Sequence, residues 1–150
     1  MPKIQFRPAI AEDVESIQEC IAQAYADARR QIEDLPDVTA GLADDIDAHH
    51  VILAETGNET VGVIVFDRVG DAMMVFNLAV VPQSQGQGLA RKLLRFVEDK
   101  AVALQCARLR LRTHRLMHGT ITMYQHLGWR VTVSKGSGLT MEKDVILAKK

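Results

Sequence analysis

The sequence predicts a single α/β domain, α+β in character, whose mixed sheet is covered by helices. Three observations predict it. Hydrophobic periodicity changes along the chain in the order βααβββαβαββ. A three-strand meander precedes a strand–helix–strand unit, so at most two connections need to be parallel crossovers and a fully doubly wound sheet is disfavoured. The length of 150 residues, without repeats or linkers, is typical of one domain spanning residues 1–150.

The first third of the chain predicts one strand and two helices. Residues 4–6 alternate between apolar and polar side chains, which predicts a short strand that ends at Pro8. Residues 11–28 carry apolar side chains at three- and four-residue spacing, with acids in the first turn, which the helix dipole favours. Residues 34–37 end this helix because Pro36 cannot occupy a helix interior. A weaker, acidic helix is predicted from Val38 or Thr39 to Ala48.

The remaining two thirds predict six strands and two helices. Turn pairs such as Gly57-Asn58 indicate antiparallel hairpins between the first three strands. The clearest helix has one apolar face and one charged face, and the strand after it alternates apolar residues with arginines that we expect to face solvent. Gly128 ends the last, short helix. The predicted strands are 51–54, 61–66, 73–81, 109–113, 129–133 and 141–148, and the predicted helices are 89–104 and 119–127.

Composition excludes several classes of protein. Eighteen Lys and Arg against nineteen Asp and Glu leave a net charge of −1, which argues against a nucleic-acid partner. Apolar runs such as residues 61–66 fall far short of the ~20 residues of a membrane span, and no secretory signal is recognisable at the start, so no membrane partner is predicted. Cys20 and Cys106 show no CxxC spacing, which predicts reduced core thiols, no disulfide or structural zinc, and a cytoplasmic location. The adjacent His49 and His50 form a poor metal pair, so no metal is expected.

The most informative segment joins the predicted strand 73–81 to the helix that follows it. Gly86 and Gly88 permit positive φ and close approach of a ligand, and the turn amides with the helix N-terminus form a site suited to phosphate or pyrophosphate. A P-loop is excluded because Leu89 follows the second glycine, and a dinucleotide fingerprint is disfavoured because Arg91 occupies the place of its third glycine. A turn that merely joins strand to helix remains an alternative.

Two motifs stand out along the chain: the sequence LAVVP at 78–82 precedes QSQGQG at 83–88, and the sequence MYQHLGW occupies 123–129. These motifs resemble two signatures of the GCN5-related N-acetyltransferase (GNAT) family. The first resembles its acetyl-CoA motif Arg/Gln-x-x-Gly-x-Gly/Ala, and the second resembles its tyrosine signature, with Trp129 in place of Phe. The resemblance implies a GNAT-like fold with a central, mostly antiparallel sheet and helices on both faces. It also implies an acetyl-CoA-dependent N-acetyltransferase.

The resemblance further implies a cofactor site and one catalytic residue. In the family, the pantetheine arm pairs with the strand before the loop, as an added strand would, and the pyrophosphate lies on the amides of the loop. Carried over, the cofactor-binding residues are Leu78, Ala79, Val80, Gln83, Gln85, Gly86, Gln87, Gly88, Leu89 and Ala90. An amide N–H of Leu78 or Val80 would polarise the thioester carbonyl. Tyr124 matches the tyrosine that protonates the CoA sulfur, with a core aromatic as the alternative.

The sequence departs from the family pattern at two places. Met117 stands where many members have an Asn, and Phe76 and Asn77 occupy the region of a Glu that serves as base. The amine would then lose its proton through water, or through His114 or His118, which also fit surface loop residues.

The leading hypothesis is an acetyl-CoA-dependent N-acetyltransferase that acts on a small-molecule amine in preference to a protein, with a homodimer left open. The alternative is a non-catalytic CoA-binding sensor or interaction module. In this family, substrate contacts come largely from the first two helices and their loop, here about residues 25–50.

Overall fold

The computed structural model describes residues 3–35 and 41–147. These residues form a mixed α/β structure with a seven-stranded sheet and four α-helices, which confirms the predicted fold class and element order. The strands are β1 Ile4–Pro8, β2 His50–Thr56, β3 Glu59–Val69, β4 Ala72–Val80, β5 Arg108–His114, β6 Arg130–Lys135 and β7 Gly138–Asp144. The helices are α1 Val14–Gln31, α2 Leu42–Ala48, α3 Leu89–Ala103 and α4 His118–His126. The strand order is β1-β2-β3-β4-β5-β7-β6.

Two compact units make up the described chain. The first unit lies within Met1–Phe66 and Asn77–Leu94, and the second lies within Asp67–Phe76 and Arg95–Lys150. Strands β3 and β4 and helix α3 therefore each contribute residues to both units.

The first unit is built on α1 and an antiparallel ladder. Strand β1 pairs with β2, and β2 pairs with β3, each antiparallel. Helix α1 buries Ile17, Cys20 and Ile21, the positions that its three- and four-residue spacing brings to one face. Seven consecutive residues of β3 are buried, from Thr60 to Phe66, which is typical of a strand covered on both sides.

The second unit contains a parallel pair and an antiparallel hairpin. Residues Ala72–Val75 of β4 pair in parallel with Arg108–Leu111 of β5, and β7 pairs antiparallel with both β5 and β6. Leu109 and Leu111 are buried, as the alternating pattern predicts. Of the intervening arginines, Arg108 and Arg112 are exposed, as predicted, whereas Arg110 is half-buried and its Nε lies 2.6 Å from Glu142 Oε2.

Several element boundaries differ from the predictions. The last strand was predicted at 141–148, but β7 begins at Gly138 and ends at Asp144 because its register with β5 joins Gly138 to His114 and Asp144 to Arg108. A 3-10 turn at Ala11–Asp13 precedes α1, which ends when Ile32 becomes extended, before the predicted proline break. Pro36, Asp37 and the predicted start of the second helix at Val38 or Thr39 lie outside the described residues, as does Ala148.

Both cysteines are buried and free, as predicted. Among the helices of residues 3–35 and 41–147, none is long and apolar enough to cross a membrane. The same ranges contain no group of three or more His, Cys, Asp or Glu side chains that could hold a metal ion.

Candidate functional site

The turn between β4 and α3 has the backbone conformation that its glycines predict. Gly86 and Gly88 adopt φ values of +80° and +77°, in the left-handed region. A Cβ at either position would meet no atom within 4 Å, so the constraint is the backbone angle and not crowding. Lys92 donates its amide to the Gly88 carbonyl at 3.1 Å, which marks the first helical hydrogen bond of α3. The amides just before it have no acceptor inside the helix and can bind an anion.

The predicted cofactor residues lie together on this turn and the adjoining strand, all in the first unit. Residues 85–88 are exposed, whereas Leu89 is buried and Ala90 is half-buried. Gln83 is exposed on a 3-10 turn formed by Pro82–Ser84. The exposed part therefore consists mainly of glycine and glutamine backbone, and the buried part anchors the helix.

Gly62 of β3 lets the start of α3 approach the strand closely, a role that the sequence pattern did not predict. A Cβ built on Gly62 would lie 3.1 Å from Leu93 Cδ1, 3.3 Å from Leu89 Cδ2 and 3.4 Å from the Ala79 carbonyl oxygen. These distances are at or below ordinary contact, so the Leu93 and Leu89 side chains would have to shift by a few tenths of an ångström to admit a larger residue. The available signal was a glycine inside an otherwise apolar strand, which often marks a close approach of backbone.

The C-terminal end of β4 has two carbonyls held by side chains. The Val81 amide donates to the Val61 carbonyl of β3 at 3.0 Å, so alternation along the strand turns the backbone groups of Leu78 and Val80 to the opposite edge. There, the Val80 carbonyl accepts a hydrogen bond of 3.1 Å from Gln85 Nε2. The Leu78 carbonyl accepts from the Tyr25 hydroxyl at 3.4 Å. Side chains occupy the acceptors that an added strand would otherwise use.

Tyr25 brings α1 to this end of β4. Its Oη also lies 3.5 Å from Oδ1 of Asn77. Tyr25, Asn77 and Leu78 are all half-buried. Burial raises the pKa of the Tyr25 hydroxyl, which therefore stays protonated at neutral pH. The contact between Tyr25 and Leu78 spans 53 positions of the chain, and no local pattern in the sequence could have predicted it.

Tyr124 lies in the second unit, on α4, with its ring in a core. The residue is 4% exposed, and its ring meets that of Trp129 edge-to-face at a centroid distance of 5.3 Å. The Tyr124 carbonyl accepts amides from Leu127 and Trp129, both at 3.0 Å, which fixes the end of the helix against the aromatic pair. This packing agrees with the core-aromatic alternative, while the role of the hydroxyl remains a prediction.

The two histidines considered as bases differ in their surroundings. His118 is exposed at the first position of α4. His114 is half-buried, and its Nδ1 accepts the Leu116 amide at 3.1 Å. A neutral imidazole that accepts at Nδ1 carries its proton on Nε2. The Nδ1 lone pair of His114 is therefore occupied by the Leu116 amide in this geometry.

Comparison with known proteins identifies the family. The model of the "Acetyltransferase (GNAT) family" matches residues 14–129. The chain belongs to the GNAT family. It is 31% identical to N-acetyltransferase 8F1 of Rattus norvegicus over 106 residues, which are 66% of this chain and 47% of that protein. The chain thus spans about half the length of this curated relative.

Solved GNAT structures share the fold. The crystal structure of PaiA N-acetyltransferase from Thermoplasma acidophilum in complex with coenzyme A matches with a TM-score of 0.85 and 19% identity, over 95% of this chain and 99% of that one. The ribosomal-protein-S18-alanine N-acetyltransferase of Escherichia coli matches with a TM-score of 0.77 and 18% identity, over 99% and 97%. At this level of identity the likeness establishes the fold, and the predicted GNAT-like architecture is confirmed.

Proposed function

We propose that this GNAT chain transfers the acetyl group of acetyl-CoA to a primary amine, with a small molecule preferred to a protein. The observation that carries the proposal is the turn at residues 85–88. Its two positive-φ glycines leave open space above the backbone, and the turn opens directly into a 15-residue helix. That combination suits a pyrophosphate, because aligned amides bind an anion without side-chain charge.

The strand before the turn supports the rest of the cofactor assignment. Leu78 and Val80 turn their backbone groups to the edge of β4 that does not face β3. An extended pantetheine arm would use that edge as an added strand does. The Val80 carbonyl oxygen has two lone pairs, so it can accept an amide of the ligand beside Gln85 Nε2. The neighbour from Thermoplasma acidophilum is in complex with coenzyme A, which favours the same ligand here.

The proposed reaction has four requirements. The amine nitrogen attacks the acetyl carbonyl carbon and forms the C–N bond, the C–S bond breaks, the nitrogen loses a proton, and the thiolate gains one. An amide of Leu78 or Val80 would polarise the carbonyl oxygen. The Tyr124 hydroxyl would supply the proton to the thiolate. Water or the exposed His118 would accept the proton from the amine, since His114 Nδ1 already accepts an amide.

The class of amine is the finer part of the proposal. A net charge of −1 offers no strong field to attract a highly charged macromolecule, which favours a small amine. One structural neighbour is named for a protein acceptor, an alanine of ribosomal protein S18. A test panel must therefore contain both kinds of acceptor.

The test measures release of free CoA thiol with acetyl-CoA and a panel of amines. The panel contains n-butylamine, phenethylamine, lysine and a hexapeptide that begins with alanine, and a reaction without amine gives the background rate. We expect thiol release above background with at least one small amine, at a higher kcat/KM than with the peptide. A higher kcat/KM for the peptide would reverse the substrate class and leave the reaction type in place.

A CoA-binding module without catalysis is the second candidate. Phe76 and Asn77 stand where many members have a glutamate base, and the Tyr124 ring packs as a core aromatic would. Calorimetry with acetyl-CoA distinguishes the two functions. Tight binding together with background thiol release for every amine would favour the module, and absence of binding would contradict both.

A further inference from the structure

Three oxygen atoms converge where α1 meets the end of β4. The Tyr25 Oη lies 3.4 Å from the Leu78 carbonyl oxygen and 3.5 Å from Asn77 Oδ1. All three residues belong to the first unit and are half-buried, so the group is partly shielded but not sealed from solvent. None of the three side chains carries a formal charge at neutral pH.

The group has the hydrogen-bonding character of an acceptor. The Tyr25 hydroxyl has one proton for two carbonyl-type oxygens, and each of those oxygens has two lone pairs. The two distances are well above the 2.7–2.8 Å that is usual for O–H···O bonds. A nitrogen bearing several protons could bind all three oxygens at shorter distances than the hydroxyl alone achieves.

We propose that Tyr25 Oη, Asn77 Oδ1 and the Leu78 carbonyl oxygen bind the amino group of the acceptor, a primary amine that arrives as its ammonium ion. This assignment rests on the proposed function. A primary ammonium has three N–H donors, which match the three oxygens in number. After one proton passes to water or His118, the amine keeps hydrogen bonds to one or two of the oxygens and turns its lone pair to the acetyl carbon.

The position along β4 supports this use of the oxygens. The N–H and C=O groups of Leu78 point to the same edge of the strand, and that N–H is one of the two groups proposed to polarise the acetyl oxygen. Asn77 is the next residue, about 3.3 Å along the strand. An amino group held here would lie within a residue or two of the carbonyl that it attacks. The protonated state of Tyr25 makes it a binding residue and not the base.

The first test replaces Tyr25 by Phe, which keeps the ring and removes one of the three oxygens. With n-butylamine and the best acceptor of the panel, we expect KM for the amine to rise about tenfold or more, because a hydrogen bond to a charged group is lost. KM for acetyl-CoA should be unchanged. The matched control is Gln23→Ala, an exposed position on the same helix, which should leave both KM values unchanged.

The second test adds a charge by Asn77→Asp. A carboxylate beside the ammonium ion stabilises its charged form, so the pH at which the rate reaches half its maximum should move upward while KM for n-butylamine falls below neutral pH. A contact that merely ties α1 to β4 would not move the pH profile. We also expect Tyr25→Phe to raise KM less for N-methylbutylamine than for n-butylamine, because its ammonium ion has one N–H fewer.

The outcomes separate the two proposals. Wild-type protein that releases thiol with an amine, combined with an unchanged amine KM in Tyr25→Phe and an unmoved pH profile in Asn77→Asp, would overturn the assignment of the three oxygens alone. Background thiol release by the wild type with every amine would overturn the proposed function and this assignment together. If Tyr25→Phe does not fold, the pH profile of Asn77→Asp decides.

Discussion

The family motifs single out two parts of the molecule, the turn at residues 85–88 and the ring of Tyr124. The two parts differ in exposure and in the kind of group, backbone or side chain, that would act. The turn is exposed and defined by backbone angles that only glycine adopts without strain. Tyr124 is buried, and its ring packs edge-to-face against that of Trp129. A binding element made of backbone can thus be recognised from glycine spacing, whereas a reactive side chain that also fills a core cannot be assigned from its position alone.

The largest expected effect tests the Tyr124 side of this comparison. Tyr124→Phe keeps the edge-to-face ring contact and removes only the hydroxyl. If the hydroxyl protonates the leaving thiolate, kcat should fall by about 10²–10⁴-fold, the usual range for general acid catalysis, with acetyl-CoA affinity nearly unchanged. Steady-state kinetics and calorimetry on the same preparation measure both quantities.

The matched control for this variant changes the packing and keeps the hydroxyl. Trp129→Phe introduces the residue that the family motif has at this position and should lower stability with little loss of kcat. A decrease in kcat of less than about threefold in Tyr124→Phe would return the residue to a purely structural role and leave water as the proton donor. That result would leave the turn at residues 85–88 as a binding element and Tyr124 as a core residue without a part in the reaction.

The second effect tests the turn. Gly88→Val forces a β-branched residue into a φ of +77° and should distort the amides that bind the pyrophosphate, so acetyl-CoA affinity should fall at least tenfold. Gly57→Val is the control, because Gly57 has a φ of +60° and equally open surroundings in the β2–β3 hairpin. Both variants carry backbone strain, but only the first should lose affinity in calorimetry. Equal affinity losses would mean that strain, and not the anion site, is responsible.

Periodicity predicted most of the fold, and it failed where contacts are made by polar side chains. The helix predicted at 89–104 is observed at Leu89–Ala103, because its apolar and charged faces repeat over four turns. The last strand was misplaced because pairing with β5 fixes its bounds. The hydrogen bonds from Tyr25 to Leu78 and from Gln85 to Val80 were not predicted, since a side chain that holds a strand carbonyl follows no period.

A smaller effect concerns the support beneath the turn. Gly62→Val would place a branched side chain within about 3.1–3.4 Å of Leu93, Leu89 and the Ala79 carbonyl. Overpacking of this kind typically costs about 1–3 kcal/mol, and urea unfolding should show the loss. Gly138→Val in β7 is the control, because a Cβ there would meet only an ordinary contact at 3.6 Å. If Gly62→Val is as stable as the wild type, the close approach of α3 is not a constraint on the turn.

The smallest effect probes the ion pairs of the first unit, which carries the turn. Arg7 donates to both carboxylate oxygens of Asp13 at 2.9 Å and to Glu55 at 2.9 and 3.3 Å. The hydrogen bonds from Arg7 lower the pKa of Asp13, and the Ile10 amide at 2.8 Å adds to them against the opposing effect of burial. The Asp13 side chain is 12% exposed and that of Arg7 is 37% exposed, so solvent partly screens this pair.

The lowered pKa of Asp13 sets the direction of the pH dependence. Its contribution to the free energy of unfolding is fully present above the unfolded-state pKa of about 3.9 and is lost as the pH falls through the lower pKa of the folded state. Because solvent partly screens Arg7, Asp13→Asn should cost about 1 kcal/mol at pH 7 and flatten the decline in stability below about pH 4. The control is Asp27→Asn, whose pair with Arg30 is exposed and should contribute less than about 0.5 kcal/mol. Urea unfolding at pH 7 and at pH 3 measures both variants, and an acid decline as steep in Asp13→Asn as in the wild type would show that other carboxylates govern the acid stability of the protein.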